Sequence, residues 1–485
     1  MTKSVKANYL FNLINSSSQL LFPLITFPYA SRIMLADGIG HVSFFQSIIS
    51  YISLFTCLGI PMYAIREVAK VRDNAAEMTR TTVEILLLHA FLSILGYMGV
   101  AVICMTVVQI QTDIPLFLLL STTIFFTAIG CEWFYQGIED FKYVAVRGLL
   151  VKLASVILLF LLVKTKEDIL WYGAYSVFGI LGGNIFNFIR LRKYLHRDVI
   201  DFYKLHPLRH LKPALHVFAL NIVISIYIQM NNVLLGFMKN AEAVGYFVAA
   251  TKIMVMTMSI SSSLGTVIMP RTSNLIAEGR MDEFRVLIQK SYDFVLALAM
   301  PLTVGLIFTS PSAVLLLSGE DFAPSILTSQ IVAFNILMVG LSGVMGIQVL
   351  YPLGKINIVI LCTFIGAMIN VLFNVLLIPC YGHNGTAVAY MLAEMAVTVS
   401  MFFIGRKYIP IRFLKKQHLH YVGGSLVMGG FLYFISLLGL SHINTLITMI
   451  CIGGMIYIAV LLLLKNSIGM MILSVVRTKI KCRYS

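Results

Sequence analysis

The sequence predicts an all-α protein that crosses a lipid bilayer about fourteen times, and three observations predict it. Of 485 residues, 59% are hydrophobic and only 12% are charged, about half the charged share of a soluble protein. The apolar residues fall in runs of about 20, the length a helix needs to cross about 30 Å of hydrocarbon. The basic residues gather between alternate runs, as cytoplasmic loops require.

The runs, in order, are 9–35, 42–65, 82–108, 114–136, 145–163 and 168–189, then 213–238, 244–269, 291–309, 325–350, 356–379 and 384–404, and finally 421–440 and 444–464. The first follows Lys3 and Lys6 and continues past Pro23 and Pro28 to Met34. It lacks the short apolar region and small-residue cleavage site of a signal peptide, so it reads as a retained helix. An even number of spans puts both termini on one side. With the termini in the cytoplasm, 30 of the 36 Lys and Arg fall in cytoplasmic loops, tails or helix ends. Lys164, Lys166 and Lys239 fall outside, and Arg32, Lys152 and Lys252 lie within or at the edge of spans. A wrong span count would scramble this alternation.

The net charge of +15 would suggest a nucleic-acid partner in a soluble chain. Here the basic residues are dispersed between spans, which excludes that reading. The seven cysteines show no CxxC and no Cys/His ligand spacing, so neither a zinc site nor a disulfide framework is expected.

The domain reading is a six-helix lobe at 1–190, a basic cytoplasmic linker at 191–212, a second six-helix lobe at 213–408, and two further helices with a basic tail at 409–485. Internal similarity supports the two lobes. Gly40-His-Val-Ser-Phe44 opens the second span and Gly245-Tyr-Phe-Val-Ala249 the eighth. Pro61 closes one and Pro270 with Arg271 the other, and Arg190-Leu-Arg-Lys-Tyr194 corresponds to Arg406-Lys-Tyr408. A parallel repeat about an axis along the membrane normal is the expected relation, as some transporters have.

Ionisable groups at membrane depth are costly, so each suggests a wet cavity or an internal pair. Arg32, Lys152 and Lys252, with Arg66 and Arg271 at the ends of the matched second and eighth spans, are the expected wall of a cationic, substrate-binding cavity. Snorkelling to headgroups and positive-inside anchoring are the plain alternatives. Glu84, Glu132 and Glu394 are candidates for coupling to a proton or sodium gradient, and structural pairing competes with that role for each, as for Asp293. His89 reads as an interhelical hydrogen-bonding residue. Polar residues recur at helical spacing in the first and seventh spans, among them Asn12 and Gln19, then Asn221, Gln229 and Asn232. Such stripes cannot face lipid and are expected to line the cavity or to join helices. No nucleophile elbow, HExxH, P-loop or dinucleotide fingerprint is present, and no cofactor or metal is expected. The chain reads as a transporter, not an enzyme.

Several stretches carry a resemblance. The most specific is Glu132-Trp-Phe-Tyr-Gln-Gly-Ile-Glu-Asp-Phe-Lys-Tyr143, followed by Arg147 and Val151-Lys152. Others are Pro28-Tyr-Ala-Ser-Arg32, Gly59-Ile-Pro61 with Arg66-Glu-Val-Ala-Lys70, Gly245 to Lys252, Pro270-Arg271, Gly346 to Lys355, and Asn370 with Asn374, Pro379 and Gly385. In this order, over about residues 9–408, the chain resembles the Wzx-type oligosaccharide flippases, the polysaccharide transporter branch of the multidrug/oligosaccharidyl-lipid/polysaccharide exporter superfamily. The family usually has an Asp in the seventh helix, where this chain reads Asn231-Asn232.

The resemblance implies two six-helix lobes around a V-shaped central cavity in a bacterial inner membrane. It implies an undecaprenyl-diphosphate-linked oligosaccharide as cargo, passed to the periplasmic leaflet for O-antigen or other surface polysaccharide, with a downstream polymerase as partner. A multidrug exporter of the same superfamily is the alternative. An intramembrane polymerase or ligase is disfavoured, because the longest external loop, about 310–324, has no Lys or Arg.

Overall fold

The computed structural model describes residues 5–196, 205–413 and 415–470, and their side chains except at 5–21, 216–217, 219–228 and 262–267. The described residues form helices and no strand. The chain divides into two compact units, 1–245 and 246–485. The seam lies inside a helix and not in the basic linker, so the helix after the linker belongs with the first unit.

The first unit contains α1 (Val5–Cys57), α2 (Ile60–Val71), α3 (Ala75–Thr106), α4 (Val108–Gln111), α5 (Ile114–Ile129), α6 (Glu132–Gly137), α7 (Phe141–Leu162), α8 (Ile169–Leu181), α9 (Gly183–Leu191) and α10 (Leu211–Met238). Next comes α11 (Ala241–Ala277), which carries the seam. The second unit continues with α12 (Met281–Ser318), α13 (Ser325–Val332), α14 (Phe334–Gly343), a π-helical stretch Val344–Leu350, α15 (Ile356–Gly405), α16 (Lys416–Ser436) and α17 (His442–Leu463).

Among the described residues ten helices are long and apolar enough to cross a membrane, or eleven if the bent pair α8 and α9 is one span. The expected fourteen do not appear as separate helices among the described residues, and the physical reason is the joining of neighbouring spans. Spans 9–35 and 42–65 run together as α1, and 356–379 and 384–404 run together as α15. In each, a single residue turns the chain: Leu35 (φ 56°, ψ −175°) and Gly382 (φ 54°, ψ −130°). Glycine adopts that region freely, whereas at Leu35 it is strained. In addition, the span 213–238 lies in α10, much of which falls outside the described side chains.

Each unit has its own core. In the first, Ile60, Tyr63 and Val68 of α2 pack with Ile85 and Leu88 of α3 and with Trp133, Phe134 and Tyr135 of α6. In the second, Phe284, Ile288 and Tyr292 of α12 pack with Val349, Cys362, Tyr421 and Tyr457.

One close backbone approach lies at the start of α11. A Cβ on Gly40 would collide with the carbonyl oxygen of Ala241, and one on Gly245 with that of Ala36. Ala36-x3-Gly40 of α1 therefore crosses Ala241-x3-Gly245 at the start of α11 with the two backbones in contact. The small residues let the backbones touch, as in membrane helix pairs generally.

Candidate functional site

Three groups of polar residues stand out among the described side chains of the first unit. The first lies between α1 and α10. Ser47 Oγ donates to Gln229 Oε1 at 3.2 Å, and Asn232 Nδ2 donates to Ser47 Oγ at 3.1 Å. Asn231 is buried beside them. The position where the resembling family has an Asp thus carries a neutral amide engaged with α1. The side chains of Asn12, Gln19 and Asn221 lie outside those described.

The second group is built by α6, α7 and α9. The helix of α5 stops where Cys131 adopts a left-handed conformation (φ 45°), and α6 then buries Trp133, Phe134 and Tyr135. Tyr135 donates its hydroxyl proton to the carbonyl of Asn187 at 2.7 Å, which ties α6 to α9. Ion pairs complete the join: Arg147 Nη2 to Glu132 Oε2 at 2.7 Å and Arg190 Nη2 to Asp140 Oδ2 at 2.8 Å. The Arg190 guanidinium also lies 3.8 Å above the centre of the Tyr143 ring, a cation–π contact. Lys152, one to two turns further along α7, interacts with Glu132.

The third group centres on Glu84, which is fully buried on α3. It pairs with Arg80 at 3.0 Å and Arg209 at 2.6 Å, and accepts from the backbone N–H of His206 at 2.9 Å. His210 Nε2 lies 3.0 Å from its other oxygen, and His210 Nδ1 lies 2.7 Å from the Tyr63 hydroxyl. A carboxylate cannot donate, so Nε2 carries the imidazole proton and Nδ1 accepts from Tyr63. Burial holds the His210 pKa below its ordinary value, against the opposing pull of Glu84. Glu84 therefore clamps the segment before α10 onto the first third of α3.

The second unit repeats this clamp. Asp293 on α12 pairs with Lys415 at 3.1 Å and with His418 Nε2 at 2.9 Å at the start of α16, and accepts from Gln289 at 2.8 Å. Glu84, Arg209 and His210 match Asp293, Lys415 and His418 at offsets of 206 to 209 residues, inside the range of the sequence repeat.

The other expected residues are placed as follows. Arg32 donates to the Pro28 carbonyl one turn back at 3.0 Å, and Arg66 is exposed and pairs with its neighbour Glu67 at 3.3 Å. Arg271 is exposed just after Pro270 on α11. Lys252 lies near the middle of the apolar stretch Ala241–Ser261 of α11. Glu394 is buried on α15, one turn from Tyr390, with which it interacts. His89 is buried and its ring nitrogens make no hydrogen bond among the described residues, which corrects the reading of it as an interhelical hydrogen-bonding group. Sequence reasoning did not assign Asp140 and Arg190 to a site. The available signal was that Asp140 lies inside the motif that carried the resemblance and that Arg190 opens the repeat match Arg190-Leu-Arg-Lys-Tyr194 at a span end.

A family described as "Polysaccharide biosynthesis protein" matches residues 5–276, more than half of the chain. The chain belongs to that family. It is also 25% identical over 368 residues to a Shigella dysenteriae protein provisionally named an O-antigen transporter, covering 76% of this chain and 91% of that one. A protein of the same provisional name from Escherichia coli strain K12 is 25% identical over 350 residues, covering 72% and 83%. Among solved structures, the lipid II flippase MurJ in an inward closed conformation is similar with a TM-score of 0.71 at 16% identity, over 93% of this chain and 98% of that one. An inward-facing multidrug transporter of the MATE family is similar with a TM-score of 0.63 at 14% identity, over 81% and 97%. At such identities the likeness concerns the fold. The resemblance drawn from the motifs is borne out, and this member of the family is a multi-pass bacterial membrane protein of the transporter kind.

Proposed function

We propose that the protein moves an undecaprenyl-diphosphate-linked oligosaccharide from the cytoplasmic to the periplasmic leaflet of the inner membrane by alternating access. Both termini then face the cytoplasm, and the released glycan passes to a downstream polymerase. The observation that carries this reading is a lysine at membrane depth in a family member: Lys252, in the middle of an apolar span. A cation there costs about 2.5–3.5 kcal/mol on insertion scales, so it persists where it meets an anion or a wet cavity.

A diphosphate cannot cross about 30 Å of hydrocarbon unaided. Lysine and arginine replace its hydration with charge-assisted hydrogen bonds. The amides and hydroxyls at Ser47, Gln229 and Asn232 suit sugar hydroxyls, and the prenyl tail stays in lipid. An interior-negative potential favours outward movement of an anion by about 2.3 kcal/mol per charge per 100 mV, so ATP is not required. Glu84, Glu132 and Glu394 are the carboxylates to test with proton and sodium gradients.

Deletion of the gene tests the proposal. A lipid-linked oligosaccharide should accumulate on the cytoplasmic leaflet, and no accumulation of any lipid-linked sugar would count against it. The multidrug alternative rests on the likeness to the MATE fold, and efflux of cationic dyes by the purified protein would favour it.

A further inference from the structure

A pocket of about 510 Å³ opens between the first turns of α7 and the end of α9, lined by Asp140, Lys142, Arg147, Leu150, Phe186 and Arg190 among others. Asp140 precedes the first residue of the α7 span and Arg190 is in the last turn of α9, so the pocket lies at the membrane boundary. Two features show that the second group of polar residues does more than pair internally. Arg147 Nε and Nη1 and Arg190 Nη1 are buried and make no hydrogen bond among the described residues. A buried guanidinium N–H without an acceptor is costly, and both arginines line this one pocket, so a small side-chain shift would present these donors to anionic oxygens in it. Arg147 is also held there by a glycine, since a Cβ on Gly183 would lie 2.8 Å from its Nε.

The opposite wall is apolar and open, with Leu150 60% and Phe186 53% exposed. An anion bound here would therefore have hydrocarbon beside it. Counting the lining charges of Asp140, Lys142, Arg147 and Arg190 with Glu132, the ion-pair partner of Arg147, leaves one positive charge. That matches one phosphodiester better than a dianionic diphosphate.

We propose that this pocket binds the phosphodiester headgroup of an anionic membrane phospholipid, with Arg147 and Arg190 donating to its oxygens and the acyl chains lying along Leu150 and Phe186. The site requires only that α7 and α9 meet at the bilayer surface, so it stands whether or not the glycan is the cargo.

The test uses the full-length protein in phosphatidylcholine nanodiscs doped with phosphatidylglycerol, with retained lipid read by native mass spectrometry. Phosphatidylglycerol should be retained over the zwitterionic lipid. Lys142→Gln, a change at an exposed residue, should weaken retention about fivefold, the share of one basic residue near an anionic surface. Arg190→Gln should weaken it more than tenfold, since it removes charge-assisted hydrogen bonds. Because Arg190→Gln also removes the ion pair to Asp140, Lys142→Gln keeps the test decisive if the first variant misfolds. Retention unchanged in Lys142→Gln, or no preference over phosphatidylcholine, would overturn the proposal. So would displacement of the lipid by millimolar inorganic phosphate, which would make the occupant a free anion. Displacement by equimolar polyprenyl diphosphate would overturn it in favour of the transported lipid.

Discussion

Replacing Glu84 by alanine removes the acceptor at the centre of the first clamp. Arg80 and Arg209 are 40% and 44% exposed, so solvent screens those pairs and each contributes about 1 kcal/mol at most. The backbone N–H of His206 and the ring N–H of the buried His210 are worth more, since hydrogen bonds to a charged group contribute about 1.5–3 kcal/mol each. His210 would in addition be left buried with an unpaired donor. Summed with allowance for relaxation, Glu84→Ala should cost about 3–4 kcal/mol, within the range for breaking a buried pair on one side. Glu84→Gln keeps the shape and one carbonyl acceptor, and should cost about half as much. Scanning fluorimetry of the purified protein should show the thermal midpoint falling in the order wild type, Gln, Ala. Limited proteolysis should cut the 205–212 segment faster in the same order. Wild-type stability and proteolysis in Glu84→Ala would refute the clamp. A Gln variant of normal stability that had lost transport would instead make Glu84 a coupling carboxylate.

Four further outcomes are expected. Asp293→Ala in the second unit should lose about 2–3 kcal/mol by thermal unfolding, since it leaves the buried His418 and part-buried Lys415 without their acceptor. Gly40→Val or Gly245→Val should prevent recovery of folded protein by size-exclusion chromatography, because a Cβ at either position meets a carbonyl oxygen; Gly99→Val, with nothing within 4 Å of its Cβ position, should behave as wild type. The folded state holds His210 neutral, so its contribution is complete above its ordinary pKa of about 6.5 and is lost as pH falls below it. The thermal midpoint should therefore drop from pH 7.5 to 5.5, and His210→Gln should flatten that slope. Lys252→Ala should abolish glycan export in cells while leaving membrane insertion intact, and full export in that variant would refute the cationic role.

The all-helical, apolar architecture was legible because it follows from composition. Bilayer thickness sets run length, so the apolar helices need no tertiary information to be seen. The turns at Leu35 and Gly382 were harder to see as helix joins, because one residue in a left-handed conformation leaves no polar loop in the sequence. Gly40 and Gly245 were legible as matching positions, but only the structure shows that a Cβ at either would meet the facing backbone. Charged residues were legible as costly and therefore paired or functional, yet their partners were not. Glu84 meets Arg209 and His210 across more than 120 residues, and spacing along one helix says nothing of such a contact. Likewise Arg147 and Arg190 reach the same pocket from different helices. The sequence placed both at span ends, where simple anchoring explains an arginine equally well.

Transport of lipid-linked oligosaccharide by the purified protein is the most direct test of the function proposed. Proteoliposomes would be loaded with an undecaprenyl-diphosphate-linked glycan, and the glycan exposed on the outer leaflet would be measured by a membrane-impermeant glycosidase or lectin over time. Wild-type protein should equilibrate or drive the lipid across within minutes, faster with a potential that favours anion movement, and Lys252→Ala should not. Transbilayer movement no faster than in protein-free vesicles, with and without a potential and with both ion gradients tried, would contradict it.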